Sequence, residues 1–274
     1  NGNILHLHRY QQVFNGSPTM IDDLYYNYAN GNQLSAVKDS ATVNKSEGFY
    51  DLNPATVTDY LYDANGNMTK DENKGIGSIS YNHLNLPERV SFGDGRYVKY
   101  LYDAAGIKLQ KEAKDSVGTI TVTNYLAGKH YNDEGDGSGS KLEFFQHAEG
   151  RVVVDGSSFD YEYNLTDHLG NVRVTVDQSG TVVQKDDYYP FGLTFNSWRN
   201  APPKNNYTYN GKEYQSETSW IDFGWRMHDP VLGRWFNVDP MSEKMRRHSP
   251  YNYAFDNPIN FVDPDGAIPL PVKA

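Results

Sequence analysis

Three aspartates stand directly before proline in the last third of the chain: Asp229, Asp239 and Asp263. Two carboxylates close enough to share a proton can divide peptide hydrolysis between them, one as general base on water and the other as general acid. Asp239 and Asp263 are 24 positions apart, so only the fold can bring them together. Arg234 supplies a planar donor fork able to orient a carboxylate or stabilise a developing oxyanion. The competing reading is architectural. Proline presets φ and aspartate caps a turn through its own side chain, so Asp-Pro also marks corners.

Other chemistries find little support. There is no cysteine, which excludes disulfides, Cys-ligated zinc and a Cys nucleophile. Neither a Gly-x-x-x-x-Gly-Lys-Ser/Thr phosphate loop nor a Gly-x-Ser-x-Gly elbow occurs. The stretch from Asp63 to Asp71 spaces oxygens as a calcium loop would. Met68 stands where such a loop needs Gly and Lys74 where it needs Glu, so a turn is expected. His6 and His8 suit one face of a strand, but no third ligand is evident and the other histidines are scattered. No metal and no cofactor is expected. Trp220, Trp225 and Trp235 are expected to pack inside the fold rather than to offer a sugar-stacking face. The net charge is −10, and Glu243 to His248 is the only dense basic stretch, which argues against a nucleic-acid partner. No window approaches the roughly 18 apolar residues of a membrane span.

The elements that must position these residues read as strands. The chain of 274 residues has 22 Tyr and 24 Gly, more Tyr than Phe and Trp combined, a composition suited to short strands and tight turns. A repeat is visible. Tyr60 to Met68 recurs as Tyr100 to Lys108, so that Tyr62, Asp63 and Gly66 correspond to Tyr102, Asp103 and Gly106. Tyr-x-Tyr puts two rings on one face of a strand. Asp-x-x-Gly then makes a turn, with Gly in the left-handed corner. Each unit is a hairpin that cannot bury its own face, and stacked units extend a sheet. Asn1 to Ile4 read as the tail of another copy, so the chain is expected to start mid-repeat within something longer. Helix signals are poor, with one short helix conceivable within residues 240–250. Residues 133–140 and 200–205 read as loops.

The Tyr-Asp-x-x-Gly units resemble the YD repeats of Rhs proteins, teneurins and the C subunits of Tc toxins. Later residues are similar to the Rhs repeat-associated core domain, especially its Bacteroidetes versions. The matching stretches are Asp167 to Arg173, Asp187 to Gly192, Tyr209 to Glu213, His228 to Trp235, Val238 to Pro240, Tyr251 to Pro258 and Val262 to Gly266. The resemblance implies an all-β fold. YD hairpins form part of a spiralling sheet or shell, closed by an inward-curling core domain with little helix. It divides the chain into YD-repeat sheet (1–160), core domain (161–266) and the start of a variable C-terminal region (267–274).

In such families the shell encloses a C-terminal cargo, usually a toxin, and the core domain often cuts it free as an aspartyl autoprotease acting once, in cis. The family cut follows Pro-x-x-x-x-Asp-Pro-x-Gly-Leu. Pro258 to Ala267 fits this except at Ala267, where Leu or Met is usual. The cut would therefore follow Gly266 and Ala267 and precede Ile268. The motif match selects Asp239 and Asp263 as the dyad, with Asp229 in reserve and Arg234 as the orienting cation. The implied partners are upstream YD repeats, the cargo, its immunity protein and secretion machinery, with the protein secreted or on the cell surface. The alternative is a non-catalytic secreted or surface module, serving adhesion, motility or export, in which the Asp-Pro pairs are turns.

Overall fold

Five Asp-x-x-Gly units close the same turn. Asp63 Oδ1 accepts the backbone N–H groups of Asn65 (2.9 Å) and Asn67 (2.8 Å), and Gly66 N–H donates to the Asp63 carbonyl. Gly66 takes φ +84°, which an L side chain resists. Asp103, Asp115, Asp167 and Asp177 repeat the pattern, each with Gly three residues on at positive φ. Asn82 builds the same turn with Asn85 in the left-handed corner.

These turns join strands into antiparallel sheets. The structure, a computed structural model, describes residues 2–11, 16–41, 48–52, 57–194 and 204–272. Strands β1 (His6–Gln11), β2 (Thr19–Ala29) and β3 (Gln33–Asp39) form a three-stranded sheet. A thirteen-stranded meander follows, each strand beside its sequence neighbour. It comprises β4 (Tyr60–Tyr62), β5 (Met68–Asp71), β6 (Ile76–Tyr81), β7 (Pro87–Phe92), β8 (Tyr97–Tyr102), β9 (Lys108–Lys114), β10 (Ile120–Leu126), β11 (Lys129–Asp133), β12 (Lys141–His147), β13 (Gly150–Asp155), β14 (Ser158–Thr166), β15 (Val172–Asp177) and β16 (Val182–Lys185). The meander continues past residue 160, so the sheet itself does not change where the core-domain motifs are expected to begin. A four-stranded sheet of β17 (Glu213–Gln215), β18 (Trp220–Asp222), β19 (Met227–Asp229) and β20 (Arg234–Trp235) comes next, and then the two-stranded β21 (Phe261–Val262) and β22 (Leu270–Pro271). The helix conceived for residues 240–250 is a single 3-10 turn, Ser242–Lys244. The expected loop at 133–140 falls between β11 and β12. Most of the loop at 200–205 lies outside the described residues.

Alternation sends the repeat tyrosines inward. Tyr60 and Tyr100 are buried and Tyr62 and Tyr102 half-buried, while Leu61 and Leu101 between them are exposed. They meet Leu24, Met68, Ile76, Val90 and Val98 in one core, which Trp220, Met227, Leu232 and Phe236 complete from the last third. Each large apolar side chain buried there contributes about 1.5–3 kcal/mol. The four-stranded sheet is covered on both faces. Trp220 and Phe236 face this core, and their neighbours Ile221 and Trp235 face a second one with Tyr209, Phe223 and Tyr253. Trp225 alone of the three clustered tryptophans is substantially exposed. The last third is thus folded back onto the inner face of the repeat sheets. Lys108 on β9 fastens it, its Nζ lying 2.6 Å from both Glu213 and Asp222.

Candidate functional site

The tip of the β18–β19 hairpin carries Arg226, which is fully buried among polar groups. Its Nη2 donates to Asp239 Oδ2 at 2.8 Å and lies 3.6 Å from Asp263 Oδ2. Its Nε donates to the Gly266 carbonyl at 2.5 Å, and its Nη1 reaches the Pro250 carbonyl at 3.3 Å. The guanidinium stacks over Trp235, 4.3 Å from the ring centroid, which fixes its plane. Asp239 and Asp263, distant in sequence, therefore meet on one cation.

Local chemistry holds each partner. Asp239 Oδ1 accepts the Met241 N–H at 2.6 Å, closing the turn that Pro240 begins. Asp263 Oδ1 accepts the N–H groups of Gly266 (2.8 Å) and Ala267 (3.1 Å), pinning the loop between β21 and β22. A Cβ on Gly266 would lie 3.0 Å from the Arg226 backbone nitrogen, and its φ is +88°, so glycine is what lets this loop close on the hairpin tip. Asp265 assists, its carbonyl accepting the Trp225 N–H at 3.0 Å.

The site is short of positive charge. Burial pushes the carboxyls of both Asp239 and Asp263 above the ordinary range, and Arg226 opposes the rise. Burial lowers Arg226 itself to about 10, with both aspartates pulling it back. Asp263 Oδ2 is buried and has no hydrogen-bond partner among the described residues. One cation facing two buried carboxylates favours a proton held on one of them. Beside the loop, a cleft of about 520 Å³ is lined by Trp225, Pro240, Met241, Ala267, Ile268 and Leu270. Ala267 is buried and Ile268 half-buried.

The other expected members lie elsewhere. Arg234 does not join the aspartates. Its Nη1 donates to Tyr28 Oη (3.1 Å) and its Nη2 to the Asn32 carbonyl (2.9 Å), and the guanidinium sits against Tyr28 and Tyr251. Its contacts tie β20 to the β2–β3 hairpin, so the cation at the two carboxylates is Arg226. Asp229 accepts the N–H groups of Val231 and Leu232 and pairs with Lys74 Nζ at 3.0 Å. The repeat residues Gly66 and Gly106 both touch neighbours: a Cβ on Gly66 would meet Val238 and Tyr251, and one on Gly106 would meet Leu86. Sequence reading passed over Arg226. Its one signal is a lone cation within the aromatic run Trp220 to Met227.

Comparison with known proteins extends this picture. Residues 137–259 match the family model described as Teneurin YD-shell. Toxin subunit YenC1 of Yersinia entomophaga is 32% identical over 191 residues, covering 62% of this chain and 19% of that protein. The tRNA nuclease WapA of Bacillus subtilis (strain 168) is 26% identical, covering 90% of this chain and 11% of its own length. Salivary gland surface protein 1 of Aedes aegypti is 28% identical, covering 76% of this chain and 6% of that protein. The chain thus spans less than a fifth of the length of each of these relatives. Among solved structures, TcdB2-TccC3 superimposes with a TM-score of 0.67 at 19% identity, over 91% of this chain and 14% of the other. The Photorhabdus luminescens Tc holotoxin pore gives a TM-score of 0.66 at 19% identity, over 92% of this chain and 13% of the other. At that identity the likeness concerns the fold. With the hairpin repeat and the folded-back last third, these matches support a Rhs/YD-shell protein, similar to the Tc toxin subunits and the teneurins.

Proposed function

We propose that this chain is the closing segment of a YD-repeat shell that encloses a C-terminal cargo and frees it by aspartyl autoproteolysis after Ala267. One observation carries the reading: Arg226 holds Asp239, Asp263 and the Gly266 carbonyl together, one peptide before the Ala267–Ile268 bond. In this reading the two carboxylates share one proton. The ionised one takes a proton from water, and the water oxygen bonds to the Ala267 carbonyl carbon. The protonated one supports the developing oxyanion and then gives its proton to the Ile268 nitrogen as the C–N bond breaks. The products are a carboxyl at Ala267 and an amine at Ile268. Arg226 positions both acids, and Asp263 Oδ1 restrains Ala267 through its N–H. The apolar cleft beside Ile268 suits chain leading away from the bond. Upstream YD repeats, the cargo, an immunity protein and secretion machinery are the partners, and the protein acts secreted or at the cell surface. Residues 161–266 are the catalytic and closing unit, and 267–274 begin the cargo region.

A second reading rests on the turn contacts. Asp239 Oδ1 and Asp263 Oδ1 each cap their own Asp-Pro corner, and Ala267 is smaller than the usual Leu or Met. In that reading the segment is a non-catalytic surface or export module. Intact mass of the full-length polypeptide at neutral pH separates the two, because Asp-Pro bonds also break in acid. A cut ending at Ala267 in the wild type, lost in Asp239→Asn and Asp263→Asn, supports proteolysis. Uncut protein in all three removes it.

A further inference from the structure

The third ligand that the His6-x-His8 spacing lacks comes from the next strand. His6, His8 and Asp23 offer ligand atoms that all lie within 4.8 Å of one another. His8 sits directly opposite Asp23 in the β1–β2 ladder. His6 Nε2 lies 2.6 Å and His8 Nε2 2.9 Å from the same oxygen, Asp23 Oδ1. We propose that His6, His8 and Asp23 form a site for one divalent transition-metal ion of the zinc type, with the remaining positions open to water.

The donor set defines the ion. Two imidazole nitrogens and one carboxylate oxygen suit Zn²⁺ and its neighbours, whereas Mg²⁺ and Ca²⁺ seek oxygen alone. Ligand bonds of about 2.0–2.2 Å in a tetrahedron set ligand atoms roughly 3.3 Å apart. The two His–Asp separations, 2.6 and 2.9 Å, are hydrogen-bond lengths, so each imidazole needs to move off the carboxylate by under an ångström to admit the ion. Three protein ligands and an open fourth position form an exchangeable site rather than a closed structural one.

The scaffold is rigid below the site. Period two sends Leu7 and Arg9 inward from β1 while His6 and His8 face solvent. Arg9 is buried against Asp22 at 2.6 Å, the pair directly opposite it in the ladder, and also donates to the Pro230 and Val231 carbonyls. A register slip would bury the histidines and strip Arg9 of these partners, so the inner ion pair holds the outer triad in place. Asp23 is further braced by its N–H to Asp39 Oδ1 at 2.9 Å. The His6 ring stacks on Tyr25, with centroids 4.1 Å apart. The ligand set shares no residue with the Arg226 cluster, so the two sites are distinct.

Calorimetric titration of chelator-treated protein with ZnCl₂ at neutral pH tests this. One equivalent should bind in the wild type. His6→Ala and His8→Ala should each weaken binding by at least the about 10–100-fold that loss of an outer-shell partner costs. His83→Ala, an exposed histidine elsewhere, should leave binding unchanged. Zn²⁺ should raise the melting temperature of the wild type and not of His8→Ala, while both melt alike in chelator, which excludes misfolding. Binding that survives in both alanine variants, binding equally matched by Mg²⁺, or heat spread over several weak sites overturns the proposal.

Discussion

Replacing Arg226 with methionine keeps an apolar stem against Trp235 and deletes the charge. It leaves Asp239 Oδ2 and the Gly266 carbonyl without their donor, removes the cation 3.6 Å from Asp263 Oδ2, and takes one of two donors from the Pro250 carbonyl. Arg226 and Asp263 are both 0% exposed, so water does not substitute. Deleting one partner of a buried ion pair costs about 3–5 kcal/mol. At roughly 2–4 °C per kcal/mol for a chain of this size, the melting temperature should fall by about 6–20 °C at pH 8. The loss should be smaller at pH 5. Arg226 is the group that opposes the burial-driven rise of both carboxyls, so without it both rise further. An acid whose folded pKa exceeds its unfolded value keeps its full stability contribution below the unfolded value, about 3.9. It loses that contribution as pH climbs to the folded value. The deficit therefore opens just above the ordinary carboxylate range and grows toward alkaline pH. Adding Asp263→Asn should recover part of it, since one stranded charge is gone; coupling within such clusters runs about 0.5–3 kcal/mol. Urea unfolding followed by circular dichroism at pH 5 and pH 8 measures all of this. A loss below about 1 kcal/mol at pH 8, or an equal loss at both values, refutes the account of Arg226 as the counter-charge.

Two further outcomes follow from groups nearer the repeats. Asp71 is fully buried, and burial, with Asp229 adding to it, pushes its carboxyl up to about 7. Its favourable neutral form is full below about pH 3.9 and is lost as pH rises to about 7. Asp71→Asn should remove that slope and exceed the wild type in urea midpoint at pH 8; parallel pH curves would show that Asp71 does not titrate there. Gly66 and Gly180 share φ +84°, but a Cβ on Gly66 would lie 2.7 Å from Val238 Cγ2 and 2.8 Å from Tyr251 Oη, whereas Gly180 faces open space. Alanine at either carries about 1–2 kcal/mol of backbone strain, and only Gly66→Ala adds overpacking of about 1–3 kcal/mol. Equal melting-temperature losses for the two would contradict the tight seat of the last third on the Gly66 turn.

What the sequence discloses is what a few neighbouring residues decide. Tyr-x-Tyr and Asp-x-x-Gly fix a strand face and a turn within nine positions, so the hairpins at Asp63 and Asp103 were legible without any tertiary information. The Asn82 turn uses the same hydrogen bonds but hid behind a change of residue type at both ends. That Asp239 and Asp263 come to one cation was suggested only by family resemblance, because nothing local draws the two together. Arg234 was the natural cation to name, since its planar donor fork lies five positions before Asp239 within the matched stretch His228 to Trp235. In β20, however, Arg234 points to Tyr28 and Asn32 while its neighbour Trp235 fills the second core. Arg226, thirteen positions before Asp239, wins because the hairpin tip places it under the Gly266 loop. The same limit hid Asp23 from the histidines. His8 and Asp23 belong to different strands, and the ladder that pairs them carries a register shift between Arg9 and Tyr10, which no local pattern encodes. Their register is set from the opposite face, where Arg9 finds Asp22 and the carbonyls of the last third. A surface constellation on β1 and β2 is thus a consequence of buried contacts made more than two hundred residues along the chain.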